Sequence, residues 1–329
     1  MKKFSALVCA FALMAAPAFA AMEINAYSIM PEKYVSKVTQ AFTEDTGIKV
    51  NFMRFSAGEA LSRLVAEKAN PQVDVLIGGP ADTYEAGVKE GIFEKYVPKD
   101  VEMVPAKFRS PDGYWTGLGI IPLCFMTNEN FLKKNGMKAP EAWADLLDPR
   151  YKNGLQMADT RTSGTATERI FSLVKIMGED EAFKYQKGLH ANIQMYTKSG
   201  AGGAMPIATG QCASGIFYIV DALDIQQQGY PVVITYPKDG VSFGIEADGI
   251  IKGAKNLEAA KIFIDWLTSK RFAEFLVDNH INYVPTRTDV KTETPLLNLA
   301  NINLVETDVA WKGANRAHFV ERWINEVIK

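Results

Sequence analysis

Short apolar segments alternate with amphipathic segments along most of the chain, a pattern typical of α/β proteins. The first part of the pattern predicts strands over 23–27, 48–53 and 73–77 and helices over 32–46 and 59–69. Each predicted strand leads into a small-residue turn and then into a helix. This order favours a parallel, doubly wound sheet, and such sheets bind ligands at the carboxyl ends of their strands.

A long apolar run over 117–126, punctuated by glycines, predicts a strand that crosses from one lobe into another. The apolar segment 244–251 predicts the return crossing, so we expect an α/β fold of two doubly wound lobes joined by a two-stranded hinge. Lobe 1 would comprise residues 21–118 and 244–329, and lobe 2 residues 119–243. Further strands are predicted over 155–158, 193–196, 214–219 and 232–236, and further helices over 257–267, 270–278 and 314–328.

Residues 1–20 have the pattern of a secretory signal peptide. Lys2 and Lys3 precede an apolar run over 4–16, and the end of the segment reads Ala-Phe-Ala. We expect cleavage after Ala20, with Ala21 as a second acceptable site, and export to the periplasm. Cys9 lies inside the apolar run and not at its end, which argues against a lipid anchor.

The net charge of the chain limits the classes of partner that it would bind, and its cysteine content limits the disulfides that it could form. The chain has 36 Lys and Arg against 38 Asp and Glu, and removal of the signal peptide would make the balance more negative. Nucleic acids and anionic membranes attract clustered positive charge, so neither is an expected partner. After export Cys124 and Cys212 would remain, either as a disulfide or as two buried thiols in apolar strands. We favour the thiols.

Catalytic motifs are missing from the sequence. Its three histidines are His190, His280 and His318, and no two of them have metal-ligand spacing. Neither a G-x-S-x-G turn nor a phosphate-binding G-x-x-x-x-G-K-[ST] loop is present. We therefore expect a protein that is not an enzyme and that needs no metal or cofactor.

A turn of small residues follows the predicted strand 155–158 and opens a helix that ends at Met177. Such a helix start leaves backbone N–H groups without acceptors, and the helix dipole favours an anion there. The residues of this candidate anion site are Ser163, Gly164, Thr165 and Ala166. Ser and Thr also cap helices without binding anything, so capping alone is the other interpretation.

Similar turns occur at several other helix starts. If they converge on one cleft, they would form a cradle for an anion. These further candidate ligand-binding residues are Ser28, Ser56, Gly58, Gly78, Gly79 and Ser199. Aromatic residues would wall the cleft or pack in the core, and the candidates are Tyr27, Tyr84, Trp115, Tyr218 and Phe243.

Six segments carry a family likeness: 52–61, 66–75, 111–117, 159–166, 196–200 and 250–256. There the chain resembles the periplasmic substrate-binding proteins of ABC importers of the ferric-iron-binding class (bacterial solute-binding protein family 1). Within this class it is most similar to the branch that takes up phosphorylated sugars and phosphonates. The resemblance implies a type II periplasmic-binding-protein-like fold that closes on a small anionic ligand. It also implies a monomer that meets the membrane only through the importer's permease and ATPase subunits.

The resemblance also bears on the ligand. Iron-binding members have adjacent tyrosines where this chain has Tyr218 beside Phe217, so ferric iron with an anion, bound by Tyr218, is an alternative cargo. Hexose-phosphate binders have a His-Asp pair and a later Glu; here the pair reads Val220-Asp221, and Gly244 stands where the Glu is expected. Asp221 suits an ammonium or a hydroxyl group, or it caps a helix.

The ligand hypothesis is therefore a small phosphate ester or phosphonate, with an amino group as a further option. Two readings of the role remain beside transport. One is a sensor that presents the closed form to a membrane receptor, and the other is a periplasmic phosphate-ester hydrolase.

Overall fold

The computed structural model describes residues 22–329, so the predicted signal peptide and Cys9 lie outside the described residues. The strands are β1 (Glu23–Ser28), β2 (Lys49–Arg54), β3 (Val75–Pro80), β4 (Thr116–Asn128), β5 (Leu155–Ala158), β6 (Ile193–Thr197), β7 (Ser214–Tyr218), β8 (Val232–Thr235), β9 (Phe243–Ile250) and β10 (Val284–Pro285). The helices are α1 (Glu32–Thr46), α2 (Ala57–Glu67), α3 (Ala81–Glu90), α4 (Glu129–Asn135), α5 (Gly164–Met177), α6 (Glu179–His190), α7 (Ala204–Ala208), α8 (Ile219–Gln227), α9 (Leu257–Thr268), α10 (Lys270–Asp278) and α11 (Val309–Trp323). A π-helical turn, Ile324–Ile328, continues α11.

The strands form a mixed, curled sheet in the order β2-β1-β3-β9-β4-β7-β5-β6, with β10 and β8 also paired to β4. Parallel pairs lie toward both ends, where β1 joins β2 and β3, and β5 joins β6 and β7. Antiparallel pairing lies in the middle, around β9 and β4. The predicted α/β fold of the periplasmic-binding-protein type is thus confirmed, and the antiparallel centre is where the chain crosses between its two halves.

Strand β4 is the first crossing. Its first part, Thr116 to Pro122, pairs with β9, and its second part, from Leu123 onward, pairs with β7 and β8. Every residue of β4 is buried. Strand β9 begins at Phe243 opposite Pro122, so the outgoing and returning strands lie side by side. This pair is the hinge that the sequence predicted.

The division into lobes at 118/119 and 243/244 stays a prediction. In the structure, α11 packs against α3 of lobe 1 and also against α5 of lobe 2, and its π-helical continuation packs against α6. The predicted helix 314–328 starts too late, because α11 begins at Val309, where Asp308 caps it by accepting from the Trp311 N–H at 2.7 Å. The start was missed because two charged residues, Lys312 and Arg316, occupy buried positions in the first turns of α11, where apolar residues would be expected.

Caps and helix periodicity, which can be read from neighbouring residues, explain why other helix boundaries agree with the prediction. Helix α1 ends at Gly47, whose φ of 74° provides the left-handed C-cap. It buries Val35, Val38 and Phe42 at the spacing of one helix face. Strand β3 is longer than expected: a register shift against β9 between Ile77 and Pro80 keeps the two glycines that follow Ile77 inside the strand.

Two further expectations concern thiols and membranes. Cys124 and Cys212 are free and buried, as favoured from the sequence. Cys124 lies in strand β4, but the strand expected at Cys212 is wrong, because Cys212 lies in the bend before β7. Both cysteines lie in one apolar cluster with residues of α7 and α8. Within residues 22–329, no helix combines the length and apolar character needed to cross a bilayer.

Candidate functional site

A cleft lies beside β4 and β9, between the parts of the chain that are predicted as lobe 1 and lobe 2. It holds about 480 Å³ of empty space, part of which is open to solvent, and this volume suits a small ligand. Residues from lobe 1 that line it are Ile29, Pro31, Arg54, Ser56, Ala57, Gly79, Pro80, Glu246 and Tyr283. Residues from lobe 2 are Ile121, Ser163, Gly164, Thr165, Ser199, Gly200, Ala201, Tyr218, Val220 and Asp221.

Eight of the twelve candidate residues come together in this cleft: Ser56, Gly79, Ser163, Gly164, Thr165, Ser199, Tyr218 and Asp221. The other four do not line it. Ser28 is fully buried, with its hydroxyl directed at the Met30 carbonyl. Gly78 lies behind the cleft against Met30, and the Ala166 N–H donates to Ser163 Oγ at 3.4 Å. Gly58 makes a contact between the lobes instead.

The start of α5 is the clearest candidate for an anion site in the cleft. Ser163 is its N-cap, and the N–H groups of Gly164 and Thr165 have no acceptor among the described residues. Both residues line the cleft together with the Ser163 side chain. Unpaired N–H groups at a helix start, supported by the helix dipole, attract a phosphate or carboxylate.

Two further helix starts face the same cleft. Helix α2 contributes Ser56 and Ala57, and α8 contributes Val220 and Asp221 near its N-terminus. The N–H groups of Ala57 and Val220 likewise have no acceptor in the described part of the chain. Three helix dipoles therefore favour negative charge in one narrow space, and the anion cradle itself stays a prediction.

Arg54 is the only cationic side chain among the residues that line the cleft. It forms no ion pair within 4.0 Å with any residue of 22–329. Desolvation lowers the pKa of its guanidinium, and the nearby carboxylate of Asp221 opposes this shift. The sequence did not predict Arg54 as a cleft residue, although its place at the carboxyl end of the parallel strand β2 was an available signal.

Two carboxyl groups, those of Asp221 and Glu246, line the cleft together with Arg54. Burial raises the pKa of Asp221 to about 7, and Arg54 lowers it while Glu246 raises it further. Burial also raises the pKa of Glu246 to about 7, against the stabilising hydrogen bonds from the Gly79 N–H and the Tyr283 hydroxyl. The Tyr283 bond is 3.1 Å long, and no hydrogen bond to Asp221 is formed within residues 22–329.

Glu246 stands two residues after the glycine at which the resemblance led us to expect a glutamate. That residue, Gly244, has no room for a side chain, because a Cβ atom would lie 2.8 Å from Tyr218 Oη. Tyr218 is buried, and its hydroxyl has no partner within the described chain. Burial raises its pKa well above the usual value, with Glu168 adding to the effect.

Of the five candidate wall aromatics, only Tyr218 lines the cleft. Tyr84 is a core residue whose hydroxyl donates to the Ala247 carbonyl at 2.7 Å. Trp115 donates to Glu85 at 2.7 Å, and Tyr27 to Glu67 at 2.9 Å. Within residues 22–329, no three His, Cys, Asp or Glu side chains are grouped so that they would hold a metal ion.

The lobes meet around the rim of the cleft. The Gly58 N–H donates to the Thr162 carbonyl at 2.8 Å. Lys198 of lobe 2 pairs with Glu59 of lobe 1 at 2.5 Å, and Lys33 of lobe 1 pairs with Asp224 of lobe 2. These contacts join the two lobes.

A small cleft between two lobes that are joined by a pair of crossing strands is typical of binding proteins. The family model of the bacterial extracellular solute-binding proteins matches residues 70–310. The chain belongs to this family.

This solute-binding protein is 32% identical to an uncharacterized protein of Haemophilus influenzae over 88% of its length and 86% of that protein. It is 27% identical to a putative 2-aminoethylphosphonate-binding periplasmic protein of Salmonella typhimurium, covering 87% of this chain and 85% of the other.

Two solved structures of periplasmic or ferric binding proteins are similar to this chain. The periplasmic binding protein AfuA of Actinobacillus pleuropneumoniae, with fructose-6-phosphate bound, is 31% identical, with a TM-score of 0.89 over 93% of this chain and 98% of the other. A ferric binding protein of Campylobacter jejuni has a TM-score of 0.77 at 20% identity, over 92% and 98% of the two chains, and thus shares the fold.

Proposed function

We propose that this solute-binding protein captures a small organic phosphate or phosphonate in the interlobe cleft and delivers it to the permease of an ABC importer. One observation carries the proposal. Three helix N-termini and the unpaired Arg54 face one narrow cleft. Such a site favours a compact, multiply charged anion, for which a phosphoryl or phosphonyl group has the required oxygens.

The relatives support the same ligand class. AfuA was solved with fructose-6-phosphate, and the Salmonella relative is described as binding 2-aminoethylphosphonate. Another relative, of Sinorhizobium fredii, is 25% identical and is described as a probable ABC transporter periplasmic-binding protein. These names support a periplasmic role and permease and ATPase partners for this chain. They also support a protein that binds its ligand without transforming it.

The second end of the ligand would face Asp221. This carboxyl group makes no hydrogen bond within the described chain, and Glu246 adds a second carboxyl group to the same cleft. An ammonium group would be attracted to both, whereas a neutral hydroxyl would gain only hydrogen bonds. Because Gly244 leaves no side chain for a sugar hydroxyl, an amino-bearing phosphonate or phosphate ester fits this cleft better than a hexose phosphate.

Capture would proceed by closure of the lobes. Lobe 1 offers Arg54 and the start of α2, while lobe 2 offers the starts of α5 and α8. A ligand that bridges both sets binds the closed form more tightly, and this difference in affinity shifts the population toward closure. The closed monomer then docks on the permease, and the ATPase powers release.

The test measures melting temperature with matched ligands, using protein stripped of bound ligand by unfolding and refolding. The panel contains 2-aminoethylphosphonate, its amine-free analogue propylphosphonate, fructose-6-phosphate, inorganic phosphate and ferric citrate. A ligand at 100 times its Kd stabilises the protein by about 2.7 kcal/mol, which raises the melting temperature by several degrees. We expect the largest shift with the amine-bearing phosphonate.

Other outcomes contradict specific parts of the proposal. Equal shifts in melting temperature with propylphosphonate and 2-aminoethylphosphonate would show that the protein does not recognise an ammonium group. A shift with ferric citrate alone would show that the ligand is ferric iron, bound through Tyr218, and not a phosphate or phosphonate. Release of inorganic phosphate from fructose-6-phosphate at catalytic protein concentration would show that the protein is a hydrolase.

A further inference from the structure

Two buried cations of the C-terminal helix α11 join the helices behind the cleft. Lys312 Nζ lies 2.6 Å from Glu168 Oε1 and donates to the Phe243 carbonyl at 2.8 Å. Arg316 Nη1 pairs with Asp82 Oδ2 and donates to Thr167 Oγ1 at 2.9 Å. All four charged side chains are less than 10% exposed.

The partners of Arg316 belong to different lobes. Asp82 lies in the first turn of α3, directly after Pro80 and Ala81, and Thr167 lies one turn into α5. The two lobes touch one turn ahead of these residues, where Pro80 and Gly164 line the cleft: a Cβ atom on Gly164 would lie 2.6 Å from Pro80 Cγ. Arg316 therefore holds α3 and α5 together immediately behind the anion site.

Lys312 acts on the hinge itself. Its Phe243 contact is at the first residue of β9, the returning hinge strand. The hydroxyl of the preceding residue, Ser242, bonds to the same Glu168 oxygen that Lys312 holds, and its N–H donates to Ser172 at 2.9 Å. Lobe 2, the hinge and α11 thus share one buried polar network.

The charges also matter to an anion in the cleft. Asp82 and Glu168 are buried carboxyl groups close enough to Tyr218, at the cleft lining, to act on its pKa. Arg316 acts on Tyr218 in the opposite direction. Without the two cations, an uncompensated buried negative charge would stand behind a site that must accept an anion.

We propose that Arg316 and Lys312 are positioning residues for ligand capture, which hold the starts of α3 and α5 in the closed arrangement and neutralise Asp82 and Glu168 behind the anion site. This inference rests on the proposed capture by lobe closure, but not on which ligand is captured. Neither cation lines the cleft, so their effect on binding would pass through the position of the lobes and the field at the site.

The main test removes the Arg316 pair without leaving an orphan charge, using Asp82→Leu with Arg316→Met. Nitroxide labels on cysteines placed at the exposed Lys68 of lobe 1 and Lys184 of lobe 2 report the lobe separation by pulsed electron paramagnetic resonance. We expect longer separations in ligand-free protein and a Kd for 2-aminoethylphosphonate raised at least tenfold. Arg316→Lys, which keeps the charge, should recover part of the affinity.

Arg150→Met is the control. Arg150 pairs with Asp148 at 2.6 Å, both residues belong to lobe 2, and neither lines the cleft. Its removal should leave lobe separation and affinity unchanged. A folded double variant with wild-type lobe separation and wild-type Kd would overturn the inference. If the wild type binds neither the phosphonate nor inorganic phosphate, the proposed ligand class fails, and the lobe separations still decide the role of Arg316.

Discussion

The backbone N–H of Gly58 donates a hydrogen bond of 2.8 Å to the carbonyl oxygen of Thr162. Gly58 is the second residue of α2 in lobe 1, and Thr162 lies in the turn before α5 in lobe 2. Two of the three helix starts that face the cleft are thus tied together by their backbones. A direct bond of this kind exists only while the lobes are closed.

Gly58→Ala should weaken ligand binding without unfolding the protein. A Cβ atom at this position would lie 2.6 Å from the Arg161 carbonyl oxygen, so the closed form must shift. Overpacking would destabilise the closed form by about 1–3 kcal/mol and leave the open form unchanged. The Kd would then rise by roughly 5- to 150-fold. Calorimetric titration with the best phosphonate of the panel measures this. Gly188→Ala, in α6 with only an ordinary contact to Leu147, should bind like wild type.

Arg54→Met should remove most of the anion affinity. The loss of hydrogen bonds from a charged group, about 1.5–3 kcal/mol, corresponds to a Kd raised about 10- to 150-fold. The melting temperature of ligand-free protein should hold or rise, because a partly buried cation without an ion pair is removed. Arg150→Met, at an exposed pair with Asp148, serves as the control. Unchanged affinity in Arg54→Met would place the anion elsewhere.

The stability of ligand-free protein should fall as pH rises from about 4 to about 7. Burial raises the pKa of both Asp221 and Glu246 to about 7. The folded state therefore binds protons that the unfolded chain, with carboxyl pKa values near 4, has released. Stability from these two groups is fully present below about pH 4 and is lost as pH passes about 7.

Urea unfolding between pH 5 and 8 measures this effect against a variant. Asp221→Asn with Glu246→Gln should flatten the curve and make the protein more stable than wild type at pH 8. Other buried carboxyl groups such as Asp248 also have a raised pKa, so the comparison rests on the difference between the two proteins. Parallel curves for both proteins would show that these carboxyl groups stay ionised.

Tyr218→Phe should separate ligand contact from stability. The hydroxyl is buried without a partner in the described chain, so its removal should not lower the melting temperature. If it donates to the ligand, the loss of one hydrogen bond of about 0.5–1.5 kcal/mol raises Kd by roughly 2- to 12-fold. Tyr151→Phe, another buried and unpartnered hydroxyl outside the cleft, should leave Kd unchanged. An equal Kd for Tyr218→Phe and Tyr151→Phe would show that the Tyr218 hydroxyl does not contact the ligand.

Much of the candidate site was predictable because its signals are local. Ser163 and Gly164 follow a strand and open a helix, and both features are visible within ten residues of sequence. The carboxyl ends of parallel strands meet at one edge of a sheet, so such turns converge. Arg54 was missed although it stands at the end of β2, because a lone charged residue in a sequence carries no sign of whether it is paired.

The sequence by itself determined the order of the elements, the two crossings and the turns that supply backbone donors, since strand periodicity, glycine caps and helix starts depend on near neighbours. Only the tertiary structure decided that Glu246 and Tyr283 join the cleft. It also decided that Gly244 faces Tyr218 and that α11 buries Lys312 and Arg316 between the lobes. Burial, pairing and pKa depend on which distant residues meet, and those contacts form only when both lobes are folded and closed on each other.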